Sequence, residues 1–305
     1  MEETEKRIES KTSRTAEITC LIRAASFYEN VQEYHSNDYI APKLLPKFFL
    51  PIIKINILKN FFVNRFIPTG MYEYVIARTK YIDSIFEQAI SREIEQILIF
   101  GAGFDTRGIR LANANNKTKI FELDAPITQE AKINQLKNRG VEINPNIIFV
   151  SMDFNKESLE YKLQESGFNK NMKSLFILEG LTMYLNPEAV NNTLNVINEF
   201  AGNGSEVVFD YVYSSVIRGE NLYYGESEIL NNAKKQNEPW CFGIEKGEIK
   251  SFLKKRNLTL IENLSSEDLE NQYFKNKQGN IEGKMNGTHC IAYSKKYKEL
   301  TKKNV

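Results

Sequence analysis

A chain of 305 residues with 42% apolar and 26% charged side chains can bury a large core, and its 40 basic against 39 acidic residues leave a net charge of +1. That balance sets up no overall field for nucleic acid or an anionic membrane, so neither is expected as a partner. Cys20, Cys241 and Cys290 are odd in number and far apart, which excludes a disulfide framework or metal spacing; with a charged, non-apolar start (Met1 to Lys11) they point to a cytoplasmic protein with reduced thiols and no metal.

Thr15–Glu33 reads as one helix and Thr69–Ser91 as another, with Tyr72, Val75, Ile76, Thr79, Ile82, Ile85 and Phe86 at helical spacing on the second. Between them Tyr39–Pro68 carries four prolines and is expected in short pieces. Its greasy part, Leu44–Phe66, is interrupted by Pro46, Lys47, Pro51, Lys54, Lys59 and Arg65 and falls short of the ~20 apolar residues of a spanning helix. A cap covering a pocket is the expectation, and an interfacial helix with snorkelling basic residues the alternative. Residues 1–93 thus form the expected helical cap.

From residue 94 strands alternate with helical or irregular segments: Gln96–Phe100, Lys119–Leu123, Asn146–Ser151, Ser174–Glu179 and Glu206–Tyr211. This alternation predicts a parallel α/β sheet with helices on both faces, filling residues 94–305. Leu258–Asn263 and Thr288–Ser294 read as an antiparallel pair closing one edge. Gly219–Gly247, which holds Tyr223, Tyr224, Trp240 and Phe242, reads as an insertion, and a lid is expected near 212–247.

The first strand runs into Gly101-Ala102-Gly103, where glycines allow a sharp turn and close approach of a ligand. Asp124 follows Gly103 by 21 residues, near the ~20 expected of an acidic residue that grips a ribose. Thr106 stands where a dinucleotide fingerprint has its third glycine, which disfavours NAD or FAD and leaves room for a ribose-bearing ligand without phosphate, such as S-adenosylmethionine (SAM). The strand ends present Asp105, Glu122, Asp124, Asp153, Glu179 and Asp210. Such a ring suits a ligand with many donors and a positive centre; Mg²⁺ is the rival, without a metal motif to support it.

Gly101-Ala102-Gly103-Phe104-Asp105-Thr106-Arg107, Glu122-Leu123-Asp124-Ala125-Pro126 and Glu179-Gly180-Leu181-Thr182-Met183-Tyr184-Leu185 resemble the motifs of the leucine carboxyl methyltransferase family, as does Ile76-Ala77-Arg78-Thr79-Lys80-Tyr81-Ile82-Asp83 in the helix before the first strand. The likeness spans roughly residues 15 to 215. It implies a Rossmann-like class I methyltransferase: a seven-stranded, mostly parallel sheet with an antiparallel last strand, an N-terminal helical cap, and SAM as cofactor. By the resemblance, Arg78 pairs with the methionine carboxylate of SAM, Gly101 and Gly103 let the methionyl part lie on the backbone, and Asp124, assisted by Glu122, takes the ribose hydroxyls. Asp153 and Phe154 hold the adenine, and Glu179 sits near the ammonium. Arg23 on the cap is a second candidate for the SAM carboxylate or the substrate. Asp105 and Arg107 read as partners of one another or as a helix cap.

The implied reaction is O-methylation of a small molecule such as a polyketide-like acid. A carboxylate acceptor needs no base and a hydroxyl normally does. Of two histidines, His35 in the cap is placed within reach of the pocket, and His289 in a terminal strand reads as packing. Tyr184 and His35 are the candidate catalytic groups, and Tyr211, Tyr213, Tyr223, Tyr224 and Trp240 are candidate pocket walls. A SAM-binding protein without catalysis, or methylation of a protein C-terminal carboxylate, remains the alternative.

Overall fold

The computed structural model describes residues 12–112, 117–154 and 156–297. The N-terminal part is helical: α1 (Arg14–Phe27), α2 (Ala41–Leu44), α3 (Phe49–Lys54), α4 (Asn56–Phe66) and α5 (Met71–Ser91). Ser13 caps α1 by accepting from the Ala16 N–H, and Gly70 opens α5 at φ 74, a left-handed conformation that suits glycine. The first helix stops at Phe27, short of the expected Glu33. There the chain turns back on itself, with Ser26 Oγ donating to Tyr34 O at 2.5 Å and Ser36 N–H donating to Ser26 O. As expected, Tyr39–Pro68 breaks into pieces, and Pro51 falls in the first turn of α3, where its missing N–H costs least.

The sheet follows: β1 (Gln96–Phe100), β2 (Lys119–Asp124), β3 (Ile147–Ser151), β4 (Ser174–Leu178), β5 (Glu206–Val212), β6 (Leu258–Ser265) and β7 (His289–Lys296), in the order β3-β2-β1-β4-β5-β7-β6. β1, β4 and β5 are buried along their whole length, the near-continuous apolar pattern of strands covered on both faces. β7 runs antiparallel to both β5 and β6, so it alone opposes the other strands.

Successive residues alternate between two cores. Ile97, Ile99 and Ile177 pack with α1 and α5, and Leu98, Phe100, Phe176 and Phe209 pack with Leu194 and Ile197 of α9 (Pro187–Phe200). The remaining helices are α6 (Arg107–Arg110), α7 (Pro126–Asn138), α8 (Leu159–Glu165), α10 (Ser214–Ile217), α11 (Glu226–Lys235), α12 (Ile249–Lys254) and α13 (Ser266–Tyr273). Strand order reverses between β1 and β4, and a ligand crevice is expected beyond the carboxyl ends there. Over those ends lie α1 from one side and α11 from the other. The segment before α11 is held by Glu226, whose carboxylate accepts the amides of Asn221, Leu222 and Tyr223 at 2.7, 2.8 and 3.1 Å. Among the described residues no helix is long and apolar enough to cross a membrane.

Candidate cofactor and acceptor site

Gly101 and Gly103 adopt φ +59 and +49, the left-handed region that favours glycine. A Cβ on Gly103 would stand 2.9 Å from the Ala16 Cβ, so the first turn of α1 rests directly on the glycine turn. The Gly103 N–H donates to one Asp124 oxygen and the Ala125 N–H donates to the other at 2.6 Å. Burial pushes the Asp124 carboxyl up to about 6, against the pull of those two amides and of Lys132. Glu122 shares the Asp124 face of β2 one pleat deeper, but its carboxylate is engaged by Lys132 of α7 and fully buried. Beyond β3, the Asp153 carbonyl accepts from the Lys156 and Glu157 amides, and the Phe154 ring lies 6.4 Å from Phe100.

Deeper lies a buried ionic network that carries Arg78. Arg78 Nη1 donates to Asp210 at 2.6 Å; its Nε is 2.9 Å from Glu179, near enough for an ion pair but off-line for a hydrogen bond. Asp210, wholly buried, also accepts from the Tyr74 hydroxyl at 2.9 Å and the Gly180 N–H at 2.7 Å. Glu179 is shared with Arg107 at 2.6 Å, and Arg107 bonds Asp105 and Asp83 as well. Burial alone would raise the Asp105 carboxyl, but Arg107, with Lys132 and Arg23, holds it at about 2. Glu179 is likewise kept below the usual carboxylate range by Arg107 and Arg78, against burial. Asp105 and Arg107 do pair as expected. Arg23 donates to Asp38 and to the Phe104 carbonyl, both at 2.7 Å, tying the cap to the glycine turn.

An apolar cleft opens between α1, α11 and the ends of β4 and β7. Its floor is Arg78 and Gly180; Met183, Tyr184, Trp240 and His289 form one wall and Ile18, Thr19 and Ile22 another. His35 is absent from this lining. It sits in the turn after α1 with its ring 6.0 Å from Phe27. His289, expected in packing alone, stacks on Tyr74 at 4.1 Å and meets Trp240 edge-on at 5.2 Å. Its Nδ1 is 2.8 Å from Thr288 Oγ1, whose own proton goes to Asn286 Oδ1 at 2.5 Å. That assigns the imidazole proton to Nδ1 and leaves the lone pair on Nε2. Burial and the nearby Arg78 press the ring down to about 3, so it is neutral near pH 7. The Trp240 Nε1–H is buried without a hydrogen-bond partner among the described residues.

The structure therefore brings Arg78 and Tyr184 to the cleft, with Glu179 behind Arg78 in the ionic network, and Gly101, Gly103, Asp124, Asp153 and Phe154 to the neighbouring strand ends, with the first turn of α1 between the two groups. Sequence reasoning gave Asp210 no partner and missed His289; only the register of β5 against β7, which pairs Asp210 with Ile291 and Val212 with His289, brings them beside α5. Among the described residues no group of three or more His, Cys, Asp or Glu is arranged to hold a metal ion.

Residues 16–198 match the family model described as leucine carboxyl methyltransferase. A protein of Bacillus subtilis (strain 168) named "Putative S-adenosyl-L-methionine-dependent methyltransferase YktD" is 29% identical over 264 residues, 80% of this chain and 86% of its own length. A relative of the same description from Mycolicibacterium gilvum (strain PYR-GCK) is 31% identical over 150 residues, 48% of each chain. Among solved structures, a methyltransferase-titled protein of Thermobifida fusca YX superposes with TM-score 0.59 at 13% identity, covering 91% of this chain and 94% of that one. A duf574 family protein of Streptomyces avermitilis MA-4680 does so with TM-score 0.60 at 10% identity, covering 95% and 100%. These two likenesses speak to the fold. The family match, resting on the stretch that carries the glycine turn, Arg78, Asp124 and Glu179, places the chain in the leucine carboxyl methyltransferase family, as a SAM-dependent methyltransferase.

Proposed function

We propose that this enzyme methylates an oxygen, carboxylate or hydroxyl, of a small acceptor such as a polyketide-like acid held in the cleft. The observation that carries this reading is the cleft itself: an apolar chamber floored by Arg78 and Gly180 and walled by Tyr184, Trp240 and His289, separated from the glycine turn by the first turn of α1. The Trp240 Nε1–H offers a donor to either kind of oxygen, and the His289 Nε2 lone pair offers an acceptor that a hydroxyl can use and a carboxylate cannot.

The donor set fits SAM. Gly180, at φ +62, has Arg78 Nη1 3.3 Å from where a Cβ would stand, so backbone and guanidinium lie close enough to grip a small zwitterion together. In the proposed roles Arg78 takes the methionine carboxylate, Glu179 the ammonium, and Gly101 and Gly103 the methionyl chain. Asp124 takes the ribose, and Asp153 with Phe154 the adenine. Glu122, already neutralised by Lys132, supports β2 from below. Bound SAM supplies an electrophilic methyl group for in-line displacement; the acceptor oxygen gains the methyl as the carbon–sulfur bond breaks. The chain's own contribution is alignment, exclusion of water by the cap (residues up to 93) and the 212–247 lid over the 94–305 domain, and, for a hydroxyl acceptor, a hydrogen bond accepted at the His289 Nε2 lone pair. Methyl transfer from labelled SAM to a panel of small carboxylic acids and phenols tests the reading, with base-labile product marking esters. SAM binding without transfer to any oxygen acceptor would sink it in favour of a non-catalytic role.

A further inference from the structure

The segment that the sequence marks as greasy is not spent on the core. One side of the α3–α4 pair is buried through Ile53 and leads into Ile67, and Lys59 is turned inward onto Glu29 at 2.6 Å. The other side is also apolar and faces outward: Ile57 is 80% exposed, and Phe48 and Phe61 are 67% exposed each. Ile57, Leu58 and Phe61 stand at i, i+1 and i+4 on α4, one face of the helix. The patch is continuous across the pair, because Phe48, Phe49, Phe62 and Phe66 follow one another at ring distances of 4.4, 6.4 and 5.0 Å. Monomeric soluble proteins rarely leave such a contiguous apolar surface open.

Charge selects what covers it. From residue 39 to residue 72 there is no Asp or Glu, while Lys43, Lys47, Lys54 and Arg65 are all exposed. The +1 balance of the whole chain hides this local excess. Lys54 and Arg65 lie over the rings of Tyr28 and Phe66, at 5.3 and 5.6 Å, long side chains laid along apolar surface with their charges at its rim. Aromatic and isoleucine side chains ringed by cations, with no acid among them, match the boundary of an anionic bilayer, where apolar groups enter the acyl edge and cations meet phosphates.

We propose that the α3–α4 pair is a membrane-seating surface for anionic lipid. It depends on neither the cofactor nor the acceptor assignment. Because Ile67 and Pro68 at its end also line the cleft, a seated molecule holds the cleft mouth beside the bilayer; on the methyl-transfer reading that favours an amphiphilic acceptor.

The test is sedimentation of the full chain with vesicles of mixed phosphatidylcholine and phosphatidylglycerol, and with pure phosphatidylcholine, without SAM. Wild type is expected to bind the mixed vesicles and to lose binding as salt rises. Ile57→Glu/Phe61→Glu is expected to weaken partition roughly tenfold or more. Lys47→Gln/Lys54→Gln/Arg65→Gln is expected to weaken it by about a hundredfold on mixed vesicles alone. All five positions are exposed, so unchanged melting and SAM affinity serve as the folding control. Failure of wild type to bind either vesicle overturns the proposal, as does binding that neither variant reduces. Self-association that Ile57→Glu/Phe61→Glu abolishes, with no vesicle binding, would reassign the face to a second copy of the chain.

Discussion

Asp210→Asn tests whether the buried clamp behind Arg78 sets the site. Asp210 Oδ2 accepts from Arg78 Nη1 at 2.6 Å and the Tyr74 hydroxyl at 2.9 Å, and Oδ1 accepts from the Gly180 N–H at 2.7 Å. Asparagine keeps the shape but has one acceptor where three donors converge. With its amide nitrogen toward Gly180 it faces an N–H; turned the other way it faces the Arg78 guanidinium, which cannot accept. Only the tyrosine hydroxyl can rotate to compensate. One donor–donor contact is therefore unavoidable, at roughly 1–3 kcal/mol, and Arg78 loses one of its two buried counter-charges. A net loss of about 3 kcal/mol is expected, a fall in melting temperature of about 6 °C at roughly 2 °C per kcal/mol for a chain of this size. SAM affinity, read by titration calorimetry, is expected to drop about tenfold as Arg78 shifts, or about 1.4 kcal/mol. A variant that melts and binds SAM like wild type would refute the clamp.

Other perturbations separate the parts of the site. SAM binding is expected to weaken as pH falls through about 6, where Asp124 takes up a proton and no longer accepts from two ribose hydroxyls; Asp124→Asn should bind weakly at every pH, and a wild-type affinity flat from pH 5 to 8 would remove the ribose role. His289, neutral in the fold down to about 3, takes its proton in the unfolded chain near 6.5, so it favours folding above 6.5 and that advantage is lost as pH falls toward 3; melts of His289→Asn should show a shallower acid decline than wild type. The same variant should raise KM for phenols, which donate to His289 Nε2, and spare carboxylates, which have no proton to donate, an acceptor-dependent split that a packing role would not produce. Gly103→Ala should cost about 1–2 kcal/mol by denaturant melts, because the site has φ +49 and the new Cβ meets Ala16; pairing it with Ala16→Gly should return the steric share and leave the backbone share. Arg78→Lys should recover little of the SAM affinity lost in Arg78→Ala, since an ammonium cannot reproduce the fork that meets a carboxylate.

The strands were legible to within two residues, most plainly where an apolar run is bounded by polar or glycine residues, as in β1, whose Gln96–Phe100 matches its expected bounds. The end of α1 was not, because nothing local in Tyr28–Glu33 forbids a helix; the stop comes from Ser26 meeting Tyr34 and Ser36 across a turn. Residues near one strand end, such as Gly101, Gly103 and Asp124, announce themselves by spacing. His289 does not. It reaches the cleft only because β7 inserts between β5 and β6, a pairing 77 positions from Val212 in the chain (289 − 212) that no window of sequence displays.

The same distinction explains the density of buried charge. Arg23, Arg78 and Arg107 with Asp38, Asp105, Glu179 and Asp210 come from α1, the segment after it, α5, the glycine turn, the start of α6, the residue after β4, and β5. Packing that many ions is poor stabilisation compared with apolar side chains of the same volume. Its use lies in alignment. The guanidinium of Arg78 is fixed by Asp210 on one side while its Nε stays off-line to Glu179, so it holds a donor with no well-aligned partner. On the proposed reading an incoming methionine zwitterion replaces one badly aligned ion pair with two well-aligned ones, its carboxylate on Arg78 and its ammonium on Glu179. The network keeps both groups in place beforehand, so little ordering remains for the cofactor to bring about.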